Sequence, residues 1–142
     1  MTKTSETLTE NIFRAVYGPT TFLEKSAIPD NMGFESKSKK KLTDLSISNA
    51  KGYPDFFLDS FEDFTLVVEA KATNQKEAIQ DVKHYMQHNN INKDLIGIAL
   101  SGQNKTSLKV NYFLKQKGGQ IVNISKNVED RLLPLPEVET LY

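Results

Sequence analysis

The chain contains no cysteine. That removes disulfides, thiolate zinc sites and cysteine nucleophiles together, and it fits a reducing compartment. No apolar run approaches the length of a membrane span. The opening Met1-Thr2-Lys3-Thr4-Ser5-Glu6 lacks the apolar stretch of a secretory signal. The expectation is a soluble cytoplasmic domain with no membrane partner. Excess charge of either sign is missing too, since 18 Lys and Arg balance 18 Asp and Glu. A free-standing nucleic-acid-binding protein is usually basic, because phosphate contacts supply much of its affinity. This balance implies that any binding to nucleic acid is weak in isolation. There is no glycine-rich phosphate loop ending in Lys-Ser or Lys-Thr, no dinucleotide-type glycine motif, no serine nucleophile elbow and no internal repeat.

What is present fits one domain of 142 residues, long enough to bury a single core. Leu8, Ile12, Phe13, Val16 and Tyr17 recur at helical spacing, which predicts a helix over Glu6 to Tyr17, capped by Thr4 or Ser5 and ended by Gly18-Pro19. Residues 18 to 43 lack a period and read as a long connection with a short helix near Thr21 to Ser26. It includes the basic cluster Lys37-Ser38-Lys39-Lys40-Lys41, either a solvated loop or an arm that touches phosphates. Leu45, Ile47 and Ala50 suggest a first strand, and Asp55 to Leu58 a second, with Phe56 and Phe57 as core residues. After a turn at Asp59 to Asp63, the β-forming run Phe64 to Ala72 reads as a central buried strand.

A helix capped by Thr73 or Asn74 then runs to about Asn89, with Ala78, Ile79, Val82, Tyr85 and Met86 as its apolar stripe. Strands over Leu95 to Leu100, Leu108 to Leu114 and Gln120 to Ile124 complete a mixed α/β layer, with Gly118-Gly119 as a turn. The tail from Arg131, with Pro134 and Pro136, reads as a linker.

The chemistry concentrates in Gly52-Tyr53-Pro54-Asp55 and Glu69-Ala70-Lys71. Side chains alternate along a strand, so Glu69 and Lys71 share a face and Ala70 takes the other. With Asp55 at the end of the adjacent strand, its carboxylate approaches Glu69. Two close acids repel unless a cation sits between them. Magnesium, a hard ion that prefers oxygen ligands, suits such a site. This arrangement supports phosphodiester hydrolysis, with Lys71 orienting or deprotonating the attacking water and stabilising charge on the phosphate. His84 and His88 are spaced for a metal on one helix face but lack a third ligand in the sequence.

Pro54-Asp55 with Glu69-Ala70-Lys71 resembles the signature of the PD-(D/E)xK nuclease superfamily. The likeness spans Ile47 to Leu100 and, more loosely, Glu6 onward. Gly52-Tyr53-Pro54-Asp55-Phe56, the strand into Glu69-Ala70-Lys71-Ala72 and the helix from Glu77 to Tyr85 are similar to N-terminal nuclease domains of restriction–modification enzymes, type I motor subunits or single-chain type IIG enzymes. Ile98 to Gly102 matches the strand that follows.

The resemblance implies a restriction-endonuclease-like core, a central mixed sheet flanked by helices. It implies magnesium, or manganese in its place, on Asp55, Glu69 and the Ala70 carbonyl, with Lys71 serving the water. It also implies a further acid on the first helix, Glu10 in preference to Glu6. The family's glutamine four residues before Tyr85 is replaced by Asp81, and Gln80 sits about 100° round the helix. The implied partners are double-stranded DNA, helicase or methyltransferase regions of a parent polypeptide, and a second nuclease copy for double-strand breaks. On this reading residues 1 to 130 form the nuclease domain and 131 to 142 the exit. A catalytically silent module of the same fold, binding nucleic acid or serving assembly, and a stand-alone resolvase or repair nuclease are the competing readings.

Overall fold

The computed structural model describes residues 5–18, 22–35, 52–59 and 62–142. The lysine cluster at 37–41 and the strand expected around Leu45, Ile47 and Ala50 lie outside the described residues. Among the described residues the chain is α/β, with six strands in one mixed sheet whose spatial order follows the sequence.

Helix α1 (Glu6–Tyr17) starts where the extended Ser5 accepts the Thr7 N–H through its hydroxyl. Thr9, Phe13 and Tyr17, four residues apart, form its buried stripe. Phe13 stacks on Tyr17 and on Phe56, with ring centroids 4.4 and 4.2 Å apart. Where a short helix is expected near Thr21 to Ser26, the described part is strand β1 (Leu23–Glu24) and a 3-10 turn over Lys25–Ala27. Leu23 and Glu24 pair with Phe57 and Phe56 across the sheet, and tertiary pairing outweighs weak helical propensity.

Strand β2 (Phe56–Leu58) runs antiparallel to β3 (Phe64–Lys71). Helix α2 (Gln75–Gln87), capped by the Asn74 side chain on the Glu77 N–H, carries the chain over to β4 (Asp94–Ser101), parallel to β3 along its whole length. Strands β5 (Lys109–Lys115) and β6 (Ile121–Asn123) finish an antiparallel meander. A parallel pair at the centre explains why β3 and β4 are continuous apolar runs: both faces are covered.

The two faces carry separate cores. Phe56, Leu66, Val68, Ala70, Ile98 and Leu100 pack with Phe13 and Tyr17 of α1. Phe57, Val67, Ala99 and Phe113 pack with Ala78, Val82, Tyr85 and Met86 of α2. Gly97 sets how closely α2 lies on β4, because a Cβ there would stand 2.5 Å from Met86 Sδ and 3.0 Å from Val82 Cγ2.

The tail differs from the expected linker. Leu132 and Leu133 are buried against the α1 face, and helix α3 (Leu135–Leu141) buries Val138 there. The Tyr112 hydroxyl donates to the Arg131 carbonyl (2.6 Å) and accepts the Leu133 N–H (2.8 Å), and Tyr17 donates to the Leu133 carbonyl (2.7 Å). The two prolines that suggested a connector leave five apolar residues between Leu132 and Leu141 free to close the core. Pro134 takes the capping position ahead of α3, where its missing N–H costs nothing.

Candidate functional site

The pairing of β2 with β3 sets Phe56 opposite Val68. One further step sets Asp55 opposite Glu69, on the face that carries Phe57 and Val67, and directly opposed Cβ atoms lie about 5 Å apart. Both carboxylates are withdrawn from water, Asp55 at 5% exposure and Glu69 at 1%. Asp55 Oδ2 accepts the Ala70 N–H at 2.8 Å, which ties the Pro-Asp turn to the Glu-Ala-Lys strand end. From α2, the buried Tyr85 phenol faces the Tyr53 backbone, two residues before Asp55. Burial, and then the charges of Glu69, Asp81 and Asp55, raise the Tyr85 pKa and keep the phenol protonated.

Lys71 sits at the end of β3 among acids from two helices. Its ammonium lies 3.1 Å from Asp81, 3.2 Å from Glu77 and 3.7 Å from Glu6. Partial burial acts to lower its pKa, but hydrogen bonds to Asp81 and Glu77 and their charges outweigh it, so the pKa is raised. Asp81 therefore shares the site through Lys71, while Gln80 is exposed one helix position away.

The start of α1 is latched over this strand end. The Gln103 side chain accepts the Ser5 N–H (2.7 Å) and donates to the carbonyls of Ser5 (2.9 Å) and Ala72 (3.0 Å). Thr9 donates to the Gly102 carbonyl at 2.7 Å, and Gly102 donates to Ala72 O at 3.0 Å. Gly102 holds φ +121°, and a Cβ there would stand 2.8 Å from Ser107 O, so this latch requires glycine. The latch points the acids of α1 at the site. Glu6 reaches Lys71, and Glu10 lies 3.6 Å from Arg14 with its pKa raised by burial and then by the charge of Asp55.

Lys25 has no place in the sequence reading. Its ammonium lies 3.1 Å from Asp55 Oδ1. Partial burial opposes its charge, and the field and hydrogen bond of Asp55, followed by the charge of Glu69, raise its pKa. Gln103 and Glu77 were missed as well. The Lys25 and Gln103 contacts join residues far apart in sequence, up to 98 positions, so spacing carries no trace of them; the one local hint was the apolar Phe22-Leu23 ahead of Glu24-Lys25, a possible edge strand.

His84 and His88 do not join the acids. They turn toward Glu35, whose carbonyl is 3.0 Å from His84 Nε2 and whose carboxylate is 3.0 Å from His88 Nδ1. A cleft of about 780 Å³ opens beside Gln75, where Lys109 is offset by Glu129 and Asp130, so it forms no cationic track.

Among the described residues no three acidic or imidazole side chains converge closely enough to hold a metal alone. Magnesium, however, is commonly held by one or two carboxylates with retained waters. Two buried, all-oxygen donors, Glu69 on β3 and Asp55 just ahead of β2, one of them already bearing an ammonium, fit such an ion. Comparison of the chain with protein-family models, with curated proteins and with solved structures gives no match.

Proposed function

We propose that this chain is a magnesium-dependent DNA endonuclease domain of the PD-(D/E)xK type, with a restriction-endonuclease-like core, serving as the cleavage module of a restriction–modification enzyme. The observation that carries the reading is the convergence of Asp55 with Glu69-Ala70-Lys71 through the β2–β3 pairing and the bond from Ala70 N–H to Asp55. The parallel β3–α2–β4 crossover sets this convergence at the carboxyl ends of the central strands, where open α/β sheets place their ligands.

On this reading Asp55 and Glu69, with the Ala70 carbonyl, hold the ion. When bound, a divalent ion supplies Lewis acidity toward a phosphoryl oxygen and toward water. The protein's own contribution is charge and position. Lys71, kept cationic by three acids, stabilises negative charge developing on the phosphate, and its raised pKa makes proton abstraction the less favourable of its two expected roles. The Ala70 N–H fixes the approach of Asp55 to the strand end. The balanced charge leaves the task of holding DNA to other regions of a parent polypeptide or to a second copy.

The test is cleavage of supercoiled plasmid at low ionic strength with magnesium or manganese, comparing wild type with Asp55→Asn, Glu69→Gln and Lys71→Met. Each variant is expected to lose activity by about 100-fold or more. Nicking by purified Asp55→Asn at the wild-type rate would refute the assignment. The threefold clamp on Lys71 favours a second reading, in which the lysine is purely structural and the domain is a silent binding module. A divalent ion that fails to raise the melting temperature of the wild-type chain would support that reading.

A further inference from the structure

Strand β1 meets β2 through two residues, Leu23 opposite Phe57 and Glu24 opposite Phe56. The same register extended by one sets Lys25 opposite Asp55, as the β2–β3 register sets Asp55 opposite Glu69. Lys25, just past β1, and Asp55, just ahead of β2, thus line up with Glu69 of β3 at one end of the sheet. The two carboxylates there are almost fully buried. Asp55 Oδ2 is engaged by the Ala70 N–H, and Oδ1 carries the Lys25 ammonium at 3.1 Å.

Two buried acids at neighbouring strand ends are held in their charged forms by a nearby cation, and Lys25 supplies one. Its side chain is 59% exposed and stands on a short 3-10 turn, so the ammonium can swing into water without disturbing the core. The ammonium 3.1 Å from Asp55 Oδ1 occupies one of that oxygen's lone pairs and repels a divalent ion approaching it, so the two compete for the site.

We propose that Lys25 is the resident counter-ion of the Asp55–Glu69 pair, and that a divalent metal binds there only by displacing its ammonium from Asp55 Oδ1. The inference rests on the metal reading of the site given above. It makes Lys25 a positioning residue that holds the acids in place before the metal arrives and weakens metal affinity by competition. The apparent dissociation constant of the wild-type chain is then its intrinsic value divided by the fraction of molecules with Lys25 withdrawn.

The experiment is calorimetric titration of the full chain with manganese chloride and with magnesium chloride at low ionic strength, paired with thermal melts in chelator. Lys25→Met should bind either ion about tenfold more tightly than wild type and melt lower in chelator. Lys25→Arg, which keeps the charge, should bind no more tightly than wild type, and Asp55→Asn should not bind. Lys25→Gln carries the same expectation as Lys25→Met if the latter does not fold. Equal affinity of wild type and Lys25→Met would overturn the role of Lys25 while leaving the metal site standing. Absence of binding to both would overturn the site and the inference together.

Discussion

Lys71→Met removes the ammonium at the end of β3 and keeps most of its apolar stem. Three carboxylates lose their cation: Asp81 at 3.1 Å, Glu77 at 3.2 Å and Glu6 at 3.7 Å. The Asp81 contact is the sheltered one, with side chains 14% and 20% exposed. A charge-assisted hydrogen bond in that setting contributes about 1.5–3 kcal/mol. Glu77 and Glu6 are nearly half exposed, and solvent screening reduces each of their contacts to about 0–1 kcal/mol. Because the three acids share one partner, the contributions overlap, and the expected loss is about 2–3 kcal/mol, or a fall in Tm of about 6–10 °C.

Urea denaturation at pH 7 and low ionic strength measures it directly. The pH dependence has a definite sign. A lysine whose folded pKa is raised stabilises the fold fully below its unfolded pKa of about 10.4, and loses that contribution as pH rises through the folded value. The gap between wild type and Lys71→Met should therefore hold from pH 7 to about 10 and narrow only at higher pH. A Lys71→Met chain within about 0.5 kcal/mol of wild type at pH 7 would refute the clamp, since surface substitutions fall in that range.

Gly97→Ala places a methyl 2.5 Å from Met86 Sδ, so the Met86 side chain or α2 must shift; the expected cost is about 1–3 kcal/mol in a urea melt. Tyr112→Phe leaves the Arg131 carbonyl and the Leu133 N–H without their shared hydroxyl; about 1–3 kcal/mol should be lost, and amide exchange at Leu133 should accelerate well before that of β4.

Much of the fold was legible because its signals are local. Phe13 and Tyr17 within the apolar spacing mark α1, although Thr9 rather than Leu8 completes its buried stripe; the apolar run of β3 marks a strand covered on both faces, and Asn74 marks the start of α2. The antiparallel pairing of β2 with β3, which brings the Pro-Asp and Glu-Ala-Lys segments to one end of the sheet, was legible for the same reason. What escaped is non-local. Strand β1 exists only through its pairing with β2, and Lys25 gains its place from that pairing. The tail was misread because prolines at 134 and 136 outweighed the leucines around them. Its burial depends on Tyr17 and Tyr112, which no inspection of residues 131–142 alone would bring to mind.

The Gln103 latch has a consequence for the order in which the molecule is made. Ser5 and Gln103 are separated by 98 positions. A chain leaving the ribosome adds about 5–20 residues each second, so α1 emerges many seconds before the side chain that anchors it. Glu69 and Lys71 also emerge ahead of β4, their parallel partner strand. The acids of α1 therefore meet the strand ends only after Gly102 and Gln103 have cleared the exit tunnel. Translation itself keeps the α1 side of this cluster open until the first four of the six described strands have been made.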